Sequence, residues 1–562
     1  MNQKPLITVK LLAFFFCIHN LSAVCQNISQ EQQIDQIFAE WNKPETPGAS
    51  VAIVKDGRII FKKGYGSANL EYNISNNPST VFEIASVSKQ FTAFAILLLE
   101  DQGKLSLDDD VRKFIPELPD FGNVITLKHL LYHTSGLRDE MDLLCMAGWR
   151  FDDVITQEQI VNLVCRQKEL NFPPGNEFRY SNTGYTLLAE VVSRISGQSF
   201  ADFTLEHIFK PLRMNNTLFC DDYEKIVRNL AYSYYSDNNG YKKKVLSSAN
   251  VGCSSLLSTV EDLSLWAMNF ENPIVGSKNL IQKMNERGIL NYDDTISYAL
   301  GQDVNQYKGL TIINHAGAVA GYRSLLARFP EQHFSMILLS NNASFDPQGI
   351  AIRIAEIYLK DNFIAEMPME AVPAPTGDKE FIGDPELMAN YIGKYELRPE
   401  FVISITSENE KLFVEAHEVP KTRLFQVSPT EFTIPAMNAR LTFASDNTGE
   451  VNQIIIVLNG QQMAAQKMKT FDVTTVNPDD YNGNFFSPEL GTVYTFVTIN
   501  GQIIARHVRL SDFALTAVKP DQFSTGKRFL KRIEFTRDDK NTVTGFVASG
   551  GWISNIKFEK ID

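Results

Sequence analysis

Three short clusters in this 562-residue chain combine side chains that can move protons around a nucleophile: Ser86-x-x-Lys89, Tyr180-x-Asn182 and His315-x-Gly317. A serine hydroxyl is a weak nucleophile until a neighbouring base takes its proton. Lysine can be that base only where burial or adjacent positive charge lowers its affinity for protons. In "FEIASVSKQFTAFAILLLE" (82–100), Ser86 and Lys89 open an apolar run, three residues apart, so a helix start would set both on one face. The dipole and free N–H groups of that helix end would favour negative charge developing beside Ser86. The tetrad alone decides nothing. It recurs at Ser524 and Ser554, within stretches that read as strand, where no helix would present Ser and Lys together.

The other two clusters stand where a loop meets a regular element. "FPPGNEFRYSNTGYTLLAEVVSRISG" carries Tyr180 and Asn182 on a loop entering a helix, and "NHAGAVAGYRS" sets His315 and two glycines beside a strand. Each residue also has a plainer reading: Tyr180 as a buried aromatic, Asn182 as a helix cap, His315 as a core histidine. His129 and His133 have the i, i+4 spacing of a metal pair, but no Glu follows the first as in H-E-x-x-H, so both are read as structural.

The elements that must position these groups are legible from periodicity. Helical patterns run over 86–102, 127–133 and 185–196, and "GIAIRIAEIYLKDNF" forms a last amphipathic helix. Two β-branched runs joined at Asp56-Gly57 make a hairpin, and strands return in "TIINHAG", "GYRSLLARFP" and "FSMILLSNN". Strands at both ends of a helical middle predict an α/β (α+β) domain over 26–365, with an antiparallel sheet flanked by helices. "AEMPMEAVPAPTGDKEF" breaks every periodicity and marks a Pro-rich linker at 366–386. Beyond it the chain repeats itself at an offset of about 90 residues. "NYIGKY" answers "DYNGNF", and "RLTFASDNTGEV" answers "RIEFTRDDKNTV". Two all-β modules follow, 387–470 and 476–562, each long enough for a small lipocalin-like barrel of about eight strands. They are expected to shape access to a cleft.

Composition narrows the function. A formal charge of −13 argues against a nucleic-acid partner, and no basic cluster larger than Lys242-Lys243-Lys244 stands out; that run is read as a solvated loop. Lys4 and Lys10, the apolar "LLAFFFCI" and the small residues of "SAVCQ" read as an export signal over 1–25, cleaved after Cys25, with a lipid-modified Cys25 as the rival. The apolar run is too short to span a bilayer, which needs about 20 residues, so the expected product is exported, soluble and without a transmembrane segment. Cys145, Cys165, Cys220 and Cys253 would remain, as buried thiols or one structural disulfide whose pairing stays open.

Taken together and in this order, the three motifs resemble those of the penicillin-recognising serine hydrolases, the superfamily of class C β-lactamases, D,D-peptidases, D-aminopeptidases and related esterases. "ITLKHLLYHTSGL", "IFKPLRMNNT", "LLSTVEDLSLWA" and "HAGAVAGYRSLLARFPE" extend the likeness over about 45–360. The resemblance implies that Ser86 forms an acyl-enzyme, that Lys89 and Tyr180 transfer protons, and that Asn182 holds Lys89 and the substrate amide. It also implies an oxyanion hole from the backbone N–H groups of Ser86 and Ala318, beside Gly317. No metal or cofactor is implied, and the substrates would be small molecules or peptides, cell-wall-derived ones among them. Many β-lactamases carry Lys where this chain has His315; a His-x-Gly version occurs in D-aminopeptidases and some esterases, and the layout of 562 residues resembles a three-domain D-aminopeptidase-like enzyme. The expected activity is hydrolysis of D-amino-acid peptides, amides or small esters. A β-lactamase or D,D-carboxypeptidase is the alternative, and a non-turnover penicillin-binding-like sensor the third. His315 is expected to titrate near pH 6 to 8, while Arg323 could supply a fixed positive charge.

Overall fold

The computed structural model describes residues 28–364, 385–398, 401–416, 419–458, 461–469 and 471–561. The expected signal, and nearly all of the expected linker, lie outside these residues.

The Asp56-Gly57 turn joins β1 (Ala49–Lys55) to β2 (Arg58–Tyr65) as read. After the helical middle the chain returns as β3 (Asp303–Tyr307), β4 (Leu310–Val319), β5 (Tyr322–Phe329) and β6 (Phe334–Ser340), giving an antiparallel sheet in the order β3-β4-β5-β6-β1-β2. β1 reads "ASVAIVK", apolar at both parities, because both faces are covered. Val51 and Ile53 pack with Leu325 and Met336 under α1 (Gln30–Ile37) and α5 (Pro347–Leu359). Ala52, Val54, Leu326 and Ile337 face the other way, toward α2 (Ser88–Asp101) and α4 (Val260–Glu271). Trp266 of α4 seals that layer, 4.4 Å from the Phe91 ring, with its indole N–H donated to Gln90. Between them α3 (Asn182–Ser196) ends at Gly197, whose φ of +70° makes the left-handed stop that glycine takes without strain.

The repeats form two sheets of the same strand order. In each, the first strand (Gly393–Arg398 or Gly483–Ser487) pairs with both the second and the last, which bends nine antiparallel strands into a nearly closed barrel. Nine strands replace the expected eight, and the ring stays open at equivalent places. There a single buried leucine, Leu424 or Leu515, turns the chain from one edge strand to the other. The two modules differ in what they pack on. The first has a core of its own around Tyr395, Phe432 and Phe443. The second, with Phe485, Phe496, Phe546 and Phe558, is continuous with the core of the first domain's helices. Cys145, Cys165, Cys220 and Cys253 are all free thiols. Among the described residues no helix is long and apolar enough to cross a membrane.

Candidate active site

Ser86 lies in a 3-10 turn (Ala85–Val87) that leads directly into α2, so it sits at the helix start as its sequence implied. The turn is strained. Ala85 has φ +49°, a left-handed conformation that costs an L-residue about 1–3 kcal/mol unless its surroundings enforce it. Glu83 does so: its carboxylate accepts the Ala85 N–H at 3.0 Å and the Ser255 N–H at 2.7 Å. Burial raises the Glu83 carboxyl to about 7, against the pull of those two donors and of Lys89. β4 presses on the turn from the other side. A Cβ on Gly317 would fall 2.3 Å from both the Ile84 oxygen and Ser324 Oγ, so only glycine lets the strand approach.

Lys89 is fully buried, and its Nζ donates to Ser86 Oγ at 3.2 Å, Asn182 Oδ1 at 2.9 Å and the Cys253 carbonyl at 2.8 Å. The Tyr180 ring lies 4.9 Å from the same nitrogen. Burial raises the Tyr180 hydroxyl, while the charge of Lys89 and contacts with Lys89 and Ser86 pull it back. Asn182 is the first residue of α3 rather than its cap. The capping comes from Asp139, whose Oδ2 accepts the Asn182 N–H at 2.7 Å and Asn182 Nδ2 at 2.9 Å. That pair of bonds fixes the amide with its oxygen toward Lys89.

His315 departs from expectation. Its Nδ1 lies 2.6 Å from the Ala316 carbonyl, which can only accept, so Nδ1 carries the proton; Nε2, 3.1 Å from the Tyr298 hydroxyl, accepts. Burial, then the charge of Lys89, lower the imidazole to about 3. The ring is therefore neutral with both nitrogens engaged, and the expected titration near neutrality gives way to a fixed aromatic wall. His133 is structural as read. The expected helix, however, stops at Leu131, and His133 follows at φ +57° with Nδ1 accepting the Ser181 N–H and its ring 4.3 Å from Tyr180. His129 completes a capping box with Thr126. Arg323, half-buried beyond Ala318, is braced by the Tyr322 carbonyl at 2.6 Å.

Ser86, Tyr180, Asn182, His315, Gly317, Ala318 and Arg323 all line one cleft of about 860 Å³, with Lys89 buried behind Ser86 and Asn182. The second barrel supplies part of the wall. Its strands β7 (Val543–Gly550) and β8 (Ile553–Lys560) meet at Gly551-Trp552, and the Trp552 ring lies 5.4 Å from that of Tyr180. The Trp552 N–H donates to Asp142 at 2.7 Å, and a Cβ on Gly551 would fall 2.2 Å from that carboxylate. The other S-x-x-K pairs do not assemble: Ser554 meets Arg179 while Lys557 pairs with Glu169, and Ser524 bonds the Thr516 carbonyl while Lys527 lies over Phe513. Glu83, Asp139, Tyr298 and Trp552 complete the site and were not read from the sequence. Glu83 and Asp139 had a signal, as acids flanking "IASVSK" and "HTSGLR"; Trp552 had none.

Residues 33–359 match the family model described as Beta-lactamase. Penicillin-binding protein 4* of Bacillus subtilis (strain 168) is 26% identical over 434 residues, covering 74% of this chain and 94% of its own. Protein flp of Staphylococcus aureus (strain MW2) is 31% identical over 334 residues; the match covers 57% of this chain and 64% of that relative, a little under two thirds. Among solved structures, an octameric penicillin-binding protein homologue from Pyrococcus abyssi (22% identity, TM-score 0.53) covers 85% of this chain and 98% of its own. The D-amino acid amidase of Ochrobactrum anthropi SV3 (21% identity, TM-score 0.50) covers 59% and 99%. At these identities the two structures show the shared fold.

Proposed function

Because the chain belongs to the Beta-lactamase family, a family of serine hydrolases, we propose that it is an exported hydrolase that forms an acyl-enzyme on Ser86. Its substrates in this reading are D-amino-acid-containing peptides or amides, or small esters. The observation that carries the proposal is the environment of Lys89. Its Nζ holds Ser86 Oγ, Asn182 Oδ1 and the Cys253 carbonyl at once, so that when it acts as a base the last two contacts can remain while its lone pair faces Oγ.

In the proposed reaction Lys89 takes the Ser86 proton as Oγ attacks the acyl carbon. The backbone N–H groups of Ser86 and Ala318 receive the oxyanion. Tyr180, beside both side chains, relays the proton to the departing nitrogen or oxygen, and the bond to the leaving group breaks. Water then attacks the ester on Ser86, with the same groups removing its proton and returning one to Oγ. The neutral His315 supports the choice of substrate, since it offers no fixed charge to a carboxylate. The amidase whose fold this chain shares supports it too. A second reading, a β-lactamase or D,D-carboxypeptidase, draws on Arg323, which lines the cleft and could hold a substrate carboxylate.

Fluorophosphonate labelling followed by peptide mass spectrometry tests the centre of the proposal. Ser86 should carry the adduct, and Ser86→Ala should abolish it while removing only one oxygen; losing such a nucleophile costs about 10⁶-fold in a well-studied protease. Labelling of Ser86→Ala at the wild-type rate would reject the assignment. A panel of nitrocefin, p-nitrophenyl esters and D-amino-acid p-nitroanilides separates the two substrate readings. Nitrocefin turnover that collapses in Arg323→Ala would favour the second.

A further inference from the structure

The second barrel brings more than a wall to the cleft. The stretch "STGKRFLKR" (524–532) holds Lys527, Arg528, Lys531 and Arg532, four cations in six residues that the reading of Lys242-Lys243-Lys244 as the largest basic run passed over, in a chain of net charge −13. The lysine run, expected as a solvated loop, is solvated but lies on the second strand of a hairpin (Tyr234–Asp237 with Gly240–Lys243), with Lys242 paired to Asp237 and Lys243 to Glu71. The barrel cluster is different. Arg532 meets Glu534 at 3.5 Å, but among the described residues no carboxylate lies within ion-pair distance of Lys527, Arg528 or Lys531. Lys527 and Lys531 are half-buried, Lys527 over the Phe513 ring, and the charge of the three is not offset by an ion pair.

Their position supplies the second observation. Arg528 lines the catalytic cleft, and it also lines a groove of about 430 Å³ that continues past Lys527, Lys531 and Arg532 to Glu396 of the first barrel. Its guanidinium lies 5.1 Å from the Trp552 ring, which in turn lies 5.4 Å from Tyr180. Those two steps place the cation within about 11 Å of the Tyr180 ring, roughly three residues of extended chain. Arg528 and Lys531 also act electrostatically on Asp142, the acid that anchors Trp552. A local positive field on an acidic protein attracts anions at this point and repels them elsewhere.

We propose that Lys527, Arg528 and Lys531 form a subsite for anionic groups, carboxylate or phosphate, that the substrate carries beyond the bond to be cleaved. The planar fork of Arg528 suits either group in a two-bond contact, and the lysines add point charge along the groove. The subsite extends the acyl-transfer reading by naming a class of substrate, a chain with negative charges set back from the acyl centre. It is independent of the carboxylate position beside His315 and Arg323, which lies on the strands of the catalytic domain.

The test uses the full-length protein and two probes, tetraglutamate and inorganic tripolyphosphate, titrated calorimetrically at low and at physiological salt. At least one probe should bind, more weakly as salt rises, and its affinity should fall about tenfold or more in Lys527→Gln/Arg528→Gln/Lys531→Gln. Lys242→Gln/Lys243→Gln should bind as wild type does. Preference for tetraglutamate assigns carboxylates to the subsite, and preference for tripolyphosphate assigns phosphates. Should the triple variant misfold, the exposed Arg528→Gln carries the comparison, with a loss of about threefold or more. The bound probe should also slow fluorophosphonate labelling of Ser86 in wild type and not in the variant. Absence of binding by both probes, or equal binding by variant and wild type, would overturn the subsite. If Ser86 never labels, the acyl-transfer reading fails, while the titration still decides the subsite.

Discussion

Replacing Glu489 by alanine should loosen the second barrel from the catalytic domain. Glu489 pairs with Arg138, and the two side chains are 2% and 0% exposed. The guanidinium also donates to the Ser554 and Asn555 carbonyls, both at 2.9 Å, and to Gln167 Oε1 at 3.1 Å. Glu489 accepts the Lys168 N–H at 2.9 Å as well. Burial lowers the Arg138 proton affinity and the Glu489 charge offsets part of that loss. Without Glu489 the guanidinium keeps its neutral partners but loses its counter-charge. Removing one partner of such a pair typically costs about 3–5 kcal/mol, or roughly two to four powers of ten in an equilibrium constant. Against a total stability of about 5–15 kcal/mol, that is a large fraction. Denaturant unfolding followed by tryptophan fluorescence should show an earlier transition for Glu489→Ala. Turnover should change with it, because Trp552 and Arg528 leave the cleft wall. Glu489→Gln, which keeps an acceptor for Arg138 and for the Lys168 N–H without the charge, should recover only part of the loss. A Glu489→Ala protein within about 0.5 kcal/mol of wild type, or a Glu489→Gln protein as stable as wild type, would refute this account; the first result lies in the range of ordinary surface substitutions.

Two further outcomes follow from the site. His315 has a folded pKa of about 3 against about 6.5 unfolded, so the unfolded state binds the extra proton between those values and stability falls as pH drops through that window. His315→Gln should remove up to about 4 kcal/mol of that pH-dependent loss at the acid end. The wild-type/variant difference is the diagnostic quantity, because Glu83 and Glu140, both raised to about 7, push the opposite way between about 4.5 and 7. An unchanged acid slope in urea titrations would contradict a neutral, buried His315. Gly317→Ala should force β4 away from the nucleophile turn at a cost of about 1–3 kcal/mol, and fluorophosphonate labelling of Ser86 should slow more than the lost stability explains. Labelling at the wild-type rate would show that the 2.3 Å approach is not needed for the chemistry.

How much of this was legible in the chain depends on the range of the interaction. The local pattern of the chain was enough for the Ser86 turn, because the 3-10 turn holding Ser86 runs straight into the helix holding Lys89 and three-residue spacing brings the two together. It determined the hairpin at Asp56-Gly57, the sheet with helices on both faces and the doubled β module, since periodicity and repetition are local signals. It placed Tyr180, Asn182 and His315 as members of one site only through the family's order of motifs. Their partners were another matter. Asp139 caps α3 from a different segment, Cys253 supplies a carbonyl to Lys89 from far along the chain, and Tyr298 closes over His315. The protonation of His315 could not be read in advance, because a pKa is set by everything packed around the ring, and here that is burial and Lys89. The two barrels look interchangeable as sequence. It is their three-dimensional packing that separates them: the second shares its apolar core with the helices of the first domain, buries Glu489 against Arg138 and lays Trp552 on Tyr180. That choice rests on the complementarity of two surfaces, a property of shape and charge in three dimensions that no local pattern along the chain encodes.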